Sequence, residues 1–204
     1  MVTTFTKLTF EQFLAQYPDG EGKFELINGE IIKVEATRAH KNVARYLVKA
    51  FDQESERLGL NYVVDKDIVI KTVNSAGVQQ GRNPDVGVVE ESVWNANVNT
   101  YGALSEPIQL AVEVSSTNWD DDYIDKLEEY ELLGIHEYWI VDYLAIASRN
   151  YLGNPKTPTV FVHQLVNGKY KAQAFKGDNT IKSLTFPELK ITVEQIIRAS
   201  GIYP

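Results

Sequence analysis

Asn83-Pro84-Asp85-Val86, then Leu110-Ala111-Val112-Glu113-Val114-Ser115-Ser116, then a helical segment over 120–133 that carries Lys126: the rest of the chain is organised around these pieces of residues 83–133. Asp85 and Glu113 each lie in or beside an apolar run that reads as a strand. A carboxylate buried in such a run is costly unless it is paired or bound to a cation. Two such strands in one sheet bring two oxygen ligands together, the minimum for Mg²⁺, which takes one or two carboxylates with waters and substrate phosphate oxygens. Either carboxylate alone is better read as a solvated strand-end residue; the pair in this order points to function. On a helical wheel Lys126 shares a face with Asp122, Tyr123, Tyr130 and Leu133, which turns it toward the sheet. An amine there can orient water or stabilise charge developing on a phosphate. The bland alternative is a surface lysine paired with Glu129.

Outward from this stretch, the chain alternates helix and strand. Thr9 and Gln12 form a capping-box pattern for a short helix over 9–16, and 17–22 is turn chemistry. Phe24-Glu25-Leu26-Ile27 and Glu30 to Val34 flank Asn28-Gly29, a type I′ hairpin signal. Arg38–Leu58 is the longest helical pattern, with Ala44, Leu47, Val48 and Phe51 on one face and Gly59 as its stop. Residues 61–73 read as one strand and 74–83 as a loop. A strand at 85–89 is followed by a loop or weak helix over 90–106, docked by Trp94 and Tyr101. The buried strands at 108–115 and 137–142 enclose the 120–133 helix, which predicts a parallel crossover. Asn167-Gly168 marks a second hairpin, and Thr192 with Gln195 caps a last helix. The pattern predicts an α/β fold with a mixed central sheet flanked by helices, plus additional hairpins, in one domain over 1–204.

The 204 residues, 44% hydrophobic and 24% charged with eleven Tyr and eight Phe, suffice for one substantial core. No cysteine is present, which excludes disulfides and Cys-based zinc sites and fits a reducing cytoplasm. Met1 to Phe5 lacks a secretory pattern, and no apolar run is long enough to span a bilayer. A net charge of −8 argues against nucleic acid as partner, since such binders carry a basic footprint. Arg38, Lys41, Arg45 and Lys49 recur at helical spacing as a local basic stripe, either a contact for a phosphate backbone or, more simply, a solvated helix face. His40 shares the inward face with Ala44, Leu47 and Phe51. It is either a satisfied core histidine or a cleft-lining one. Asp120, Asp121 and Asp122 read as complements to a helix N-terminus, and Asp142 as a supporting or solvated strand-end residue.

Pro84-Asp85, Glu113-Val114-Ser115 and Lys126 resemble the PD-(D/E)XK nuclease superfamily, whose motif is proline–aspartate, a variable separation, then acid-any-lysine. The chain further resembles a bacterial family of restriction-endonuclease-like proteins of unknown specificity. Phe24 to Glu30, Arg82 to Val86, Val112 to Ser116, Asp122 with Lys126-Leu127 and Tyr130, and Gly134 to Asp142 carry this likeness. The departure is Ser115, which stands where the superfamily has its lysine; in the closer family the lysine has moved to the following helix, which makes Lys126 the candidate.

The resemblance implies a restriction-endonuclease-like core and hydrolysis of DNA with Mg²⁺, or Mn²⁺ in its place. It gives Asp85 and Glu113 as metal ligands, Lys126 as the group assisting water, and Glu25 as a further acid near the metal. Glu25 as a solvent-facing strand residue has equal weight. The cleft would be lined by His40 and Ser115, and a homodimer is allowed. The alternatives are a non-catalytic binding or assembly module, with Ser115 as a sign of decay, and a metal-dependent phosphoesterase for a small substrate.

Overall fold

The structure, a computed structural model, describes residues 7–18, 22–96, 98–99 and 103–202. Met1 to Phe5, the turn residues Asp19 to Glu21 and Tyr101 therefore lie outside it. Helix α1 (Phe10–Ala15) begins at the expected capping box of Thr9 and Gln12. Strands β1 (Lys23–Ile27) and β2 (Glu30–Val34) form the hairpin, with Asn28 and Gly29 both at positive φ as a type I′ turn requires. Helix α2 (Arg38–Leu58) is capped by the Thr37 hydroxyl on the His40 N–H and ends at left-handed Gly59.

Two expectations fail in the next segment. The run 61–73 is not one strand but two, β3 (Tyr62–Asp65) and β4 (Val69–Val73). The Asp65 carboxylate accepts from the Lys66 and Asp67 N–H groups, 2.6 and 3.3 Å away, and this turn sends the chain from one sheet to the other. The expected loop at 74–83 contains strand β5 (Gln79–Arg82), paired antiparallel with β4. The Asn74 carboxamide accepts from Ala76 and Val78 N–H groups and closes that hairpin. Its polar composition concealed it, because buried Gln80 and Arg82 satisfy themselves through side-chain hydrogen bonds.

The remaining elements are β6 (Val86–Glu90), α3 (Glu91–Asn95), β7 (Ala103–Leu104), β8 (Leu110–Val114), a π-helical turn (Asp121–Asp125) running into α4 (Lys126–Leu133), β9 (Glu137–Asp142), α5 (Arg149–Leu152), β10 (Thr159–Val166), β11 (Lys169–Phe175) and α6 (Val193–Ala199). Trp94 on α3 packs against the core. The expected parallel pairing appears as β8 beside β9, joined through α4.

The mixed central sheet is present, and the additional hairpins build a second one. A six-stranded sheet runs β11-β10-β9-β8-β6-β3, and a five-stranded sheet runs β2-β1-β5-β4-β7. Both are mixed: β8–β9 and β4–β7 are parallel pairs among antiparallel ones. On one face of the six-stranded sheet Leu110, Val112 and Val114 pack with Val43, Leu47 and Phe51 of α2 and Ile196 of α6. On the other, Ala111, Tyr138 and Ile140 pack with Tyr123, Tyr130 and Ile70.

Candidate active site

The alternation of β8 decides where Glu113 goes. Leu110, Val112 and Val114 face α2, so Ala111 and Glu113 face α4. Tyr130 and Lys126, one turn apart on α4, meet it there. The Tyr130 hydroxyl donates to Glu113 Oε1 at 2.8 Å, and Lys126 Nζ lies 3.1 Å from Glu113 Oε2. The wheel reading of Lys126 is correct in direction, and its ammonium also sits 3.4 Å from both Glu25 and Asp122 and 3.8 Å from Asp121. The expected Lys126–Glu129 surface pair does not form; Lys126 is 5% exposed and Glu129 turns to Arg82.

Glu25 arrives from the five-stranded sheet. Strand β1 approaches β5 at Leu26 and Gly81, where a Cβ on Gly81 would stand 2.9 Å from the Phe13 ring and 3.2 Å from Leu26 Cβ. The bare glycine lets α1, β1 and β5 close together. Glu25 then accepts from the Asn83 N–H at 3.1 Å and from Arg82 at 3.2 Å. The Arg82 guanidinium makes a bidentate fork with Glu129 at 2.8 and 2.7 Å, and Glu129 also accepts from the Thr72 hydroxyl. This fork ties the five-stranded sheet to α4.

Asp85 immediately precedes β6. Its Oδ2 accepts from the Val114 N–H at 2.8 Å. His40, buried in the first turn of α2, places Nε2 2.7 Å from the same oxygen and pairs with it. Ser115 is buried, with its hydroxyl lacking a hydrogen-bond partner. Arg38, Lys41 and Arg45 are exposed along α2, and none forms an ion pair among the described residues.

The cluster is short of positive charge. Glu25, Glu113, Asp121, Asp122 and Glu129 share two cations, Lys126 and Arg82, leaving three carboxylates in excess when all are ionised. Burial, with the charges of Asp85, Asp122 and Glu25, pushes the Glu113 carboxyl well above its usual range despite Lys126. Burial likewise pushes Asp122 up to about 6. Burial opposes the charge on Lys126, but Glu113, Glu25, Asp122 and Asp121 outweigh it and raise its pKa well above the ordinary lysine value. The amine is therefore a donor and a positive charge, not a base. For Glu25 burial is outweighed by Lys126 and Arg82, and for Asp85 by His40, Lys23 and the Val114 N–H, so both carboxyls are lowered.

Several residues behave otherwise than expected. Asp121 and Asp122 turn inward to Arg82 and Lys126, beyond any role at a helix end. Asp142 is fully buried and accepts from the Ile146 and Ala147 N–H groups and the Tyr123 hydroxyl, which makes it a loop anchor. Arg82 and Glu129 join the site without having been expected there; the signal for Arg82 is Gln80 and Arg82 flanking Gly81 at strand spacing, two long polar side chains aimed the same way. Lys23, whose ammonium donates to the Pro84 carbonyl at 3.0 Å, carried no signal at all.

Donor chemistry suits a hard divalent cation: carboxylate oxygens in excess, low dielectric, and orphaned polar atoms beside them. Asn83 Oδ1 and Ser115 Oγ, buried side-chain polar atoms without a hydrogen-bond partner among the described residues, belong to residues two positions from Asp85 and Glu113. Among the described residues no group of three acidic or histidine side chains is arranged to hold a metal ion.

This is the two-sheet α/β architecture of a restriction-endonuclease-like protein. A crystal structure of a "putative nuclease belonging to DUF820" from Anabaena variabilis ATCC 29413 superposes with a TM-score of 0.70 at 17% identity, covering 95% of this chain and 99% of that one. The Uma2 family, described as "Putative restriction endonuclease", matches residues 10–194, and the chain belongs to it. No curated protein matches the chain.

Proposed function

We propose that the protein hydrolyses DNA phosphodiester bonds with a divalent cation, Mg²⁺ or Mn²⁺ in its place. The observation that carries this reading is the convergence of Glu113, Glu25 and Asp122 on one buried ammonium, with carboxylates in excess of cations. Asp85 and Glu113 would hold the metal. A bound divalent cation supplies Lewis-acid charge to a phosphodiester and to an attacking water. Lys126, protonated and held between acids, donates N–H bonds that position the water and offset charge on the phosphate. Glu25 orients Lys126 and is itself oriented by Arg82. Tyr130 fixes the Glu113 carboxylate from behind. Arg38, Lys41 and Arg45, on the same helix as His40, offer unpaired charge to the phosphate backbone.

The test is cleavage of supercoiled and linear DNA with Mg²⁺ or Mn²⁺, comparing wild type with Glu113→Gln. Loss of cleavage in a variant of unchanged circular dichroism supports the reading. Cleavage that survives the substitution, or survives chelation of the metal, sinks it. A non-catalytic binding module has one observation in its favour: Lys126 already gives the acids a counterion. Calorimetry would favour that module if no cation binding depended on Asp85 and Glu113.

A further inference from the structure

We infer that Lys23 is a substrate-binding residue, whose ammonium holds a DNA phosphate at the edge of the acid cluster. The inference rests on the DNA reading above. A phosphodiester that approaches the cluster meets more carboxylates than cations, and like charges at close range repel. Neither buried cation has donors to spare for it. The Lys126 ammonium lies within 3.8 Å of four acids, Glu25, Glu113, Asp121 and Asp122, and an ammonium has only three N–H groups. Arg82 is committed to Glu25, Asp121 and Glu129. Initial capture of the phosphate therefore calls for another positive charge.

Lys23 supplies it. Side chains alternate along β1, so Lys23 shares a face with Glu25, two residues further along the strand. The residue is half-buried, and its ammonium donates to the Pro84 carbonyl at 3.0 Å. That bond fixes the charge beside the peptide that leads into Asp85. The Lys23 charge helps to lower the Asp85 carboxyl, so it is felt inside the site. One N–H group is used on Pro84, and Lys23 forms no ion pair among the described residues. The remaining N–H groups can make charge-assisted bonds to a phosphate oxygen, while the carbonyl keeps the long side chain in place. Arg38, Lys41 and Arg45 are placed differently. They stand on the exposed face of α2, whereas His40 on the same helix turns to the core, so they meet backbone that flanks the site.

The experiment compares the full-length wild type with Lys23→Gln and Lys23→Arg. Fluorescence anisotropy of labelled duplex DNA in Ca²⁺, repeated across salt concentrations, gives affinity and its salt slope; steady-state cleavage in Mg²⁺ gives KM and kcat. Lys23→Gln should bind about tenfold more weakly, as loss of one charge-assisted contact implies. Its slope of log affinity against log salt should be shallower by about one, because each phosphate contact releases about 0.9 counterion. KM should rise by the same factor with kcat little changed. Lys23→Arg should keep the affinity and the slope. Wild-type affinity and slope in Lys23→Gln overturn the inference and leave the DNA reading standing. A fall in kcat with KM and slope unchanged assigns Lys23 to holding Pro84 alone, and overturns it equally. Wild-type protein that neither binds nor cleaves DNA overturns both.

Discussion

Arg82 provides the sharpest test of how the site is held together. Its guanidinium is 2% exposed and forks onto Glu129, also 2% exposed, while a further N–H reaches Glu25. Arg82→Met keeps much of the volume and removes the charge. Glu129 then keeps only the Thr72 hydroxyl, and Glu25 keeps the Asn83 N–H and Lys126. Removing one partner of a buried ion pair costs about 3–5 kcal/mol because the other charge stays buried. That is a large share of the roughly 5–15 kcal/mol that stabilises an ordinary domain. At about 2–4 °C per kcal/mol for a chain of this size, the melting temperature should fall by about 6–20 °C. Urea unfolding followed by tryptophan fluorescence measures the loss. Arg82→Met with Glu129→Leu removes both charges together and should recover part of it, since an apolar pair avoids the desolvation cost. A loss under about 1 kcal/mol, or a double variant as unstable as the sum of its singles, would refute the view that this fork ties the second sheet to α4.

Other perturbations follow from the same charges. Lys126→Met strips the common counterion from Glu113, Glu25 and Asp122. The variant should melt lower than wild type without metal, gain more in melting temperature from added Mg²⁺, and fail to cleave; an Mg²⁺ gain no larger than that of wild type would contradict the shared-counterion picture. Asp122 is raised from 3.8 to about 6, chiefly by burial, so its contribution to stability is fully present below pH 3.8 and is lost as the pH rises through 6. Cation binding has the opposite sign: affinity should strengthen as the pH rises through about 6, with protons released in calorimetry, and a flat profile across that range would exclude Asp122 from the linkage.

Local patterns were legible wherever one periodicity dominated. The two Asn-Gly hairpins, the capping boxes at Thr9 and Thr192, and the full span of α2 follow from turn chemistry, capping and spacing. The inward face of Lys126 was legible for the same reason, since Tyr123 and Tyr130 mark the buried side of its helix. What local pattern could not give was the second sheet. Strand β5 is polar and reads as loop until Gln80 and Arg82 are known to find partners on distant elements. The break between β3 and β4 hangs on one side-chain oxygen of Asp65. Lys23 and Glu129 join the cluster through tertiary approach alone, and no spacing in the sequence encodes that.

On the proposed reading Asp85 and Glu113 would share one divalent cation. Anomalous diffraction from crystals of the protein soaked in Mn²⁺ tests it most directly. The expected result is a single peak about 2.1 Å from an oxygen of each carboxylate, with the Lys126 ammonium displaced from its contact with Glu113. Crystals that show no peak there, with Lys126 still seated 3.1 Å from Glu113, would contradict it.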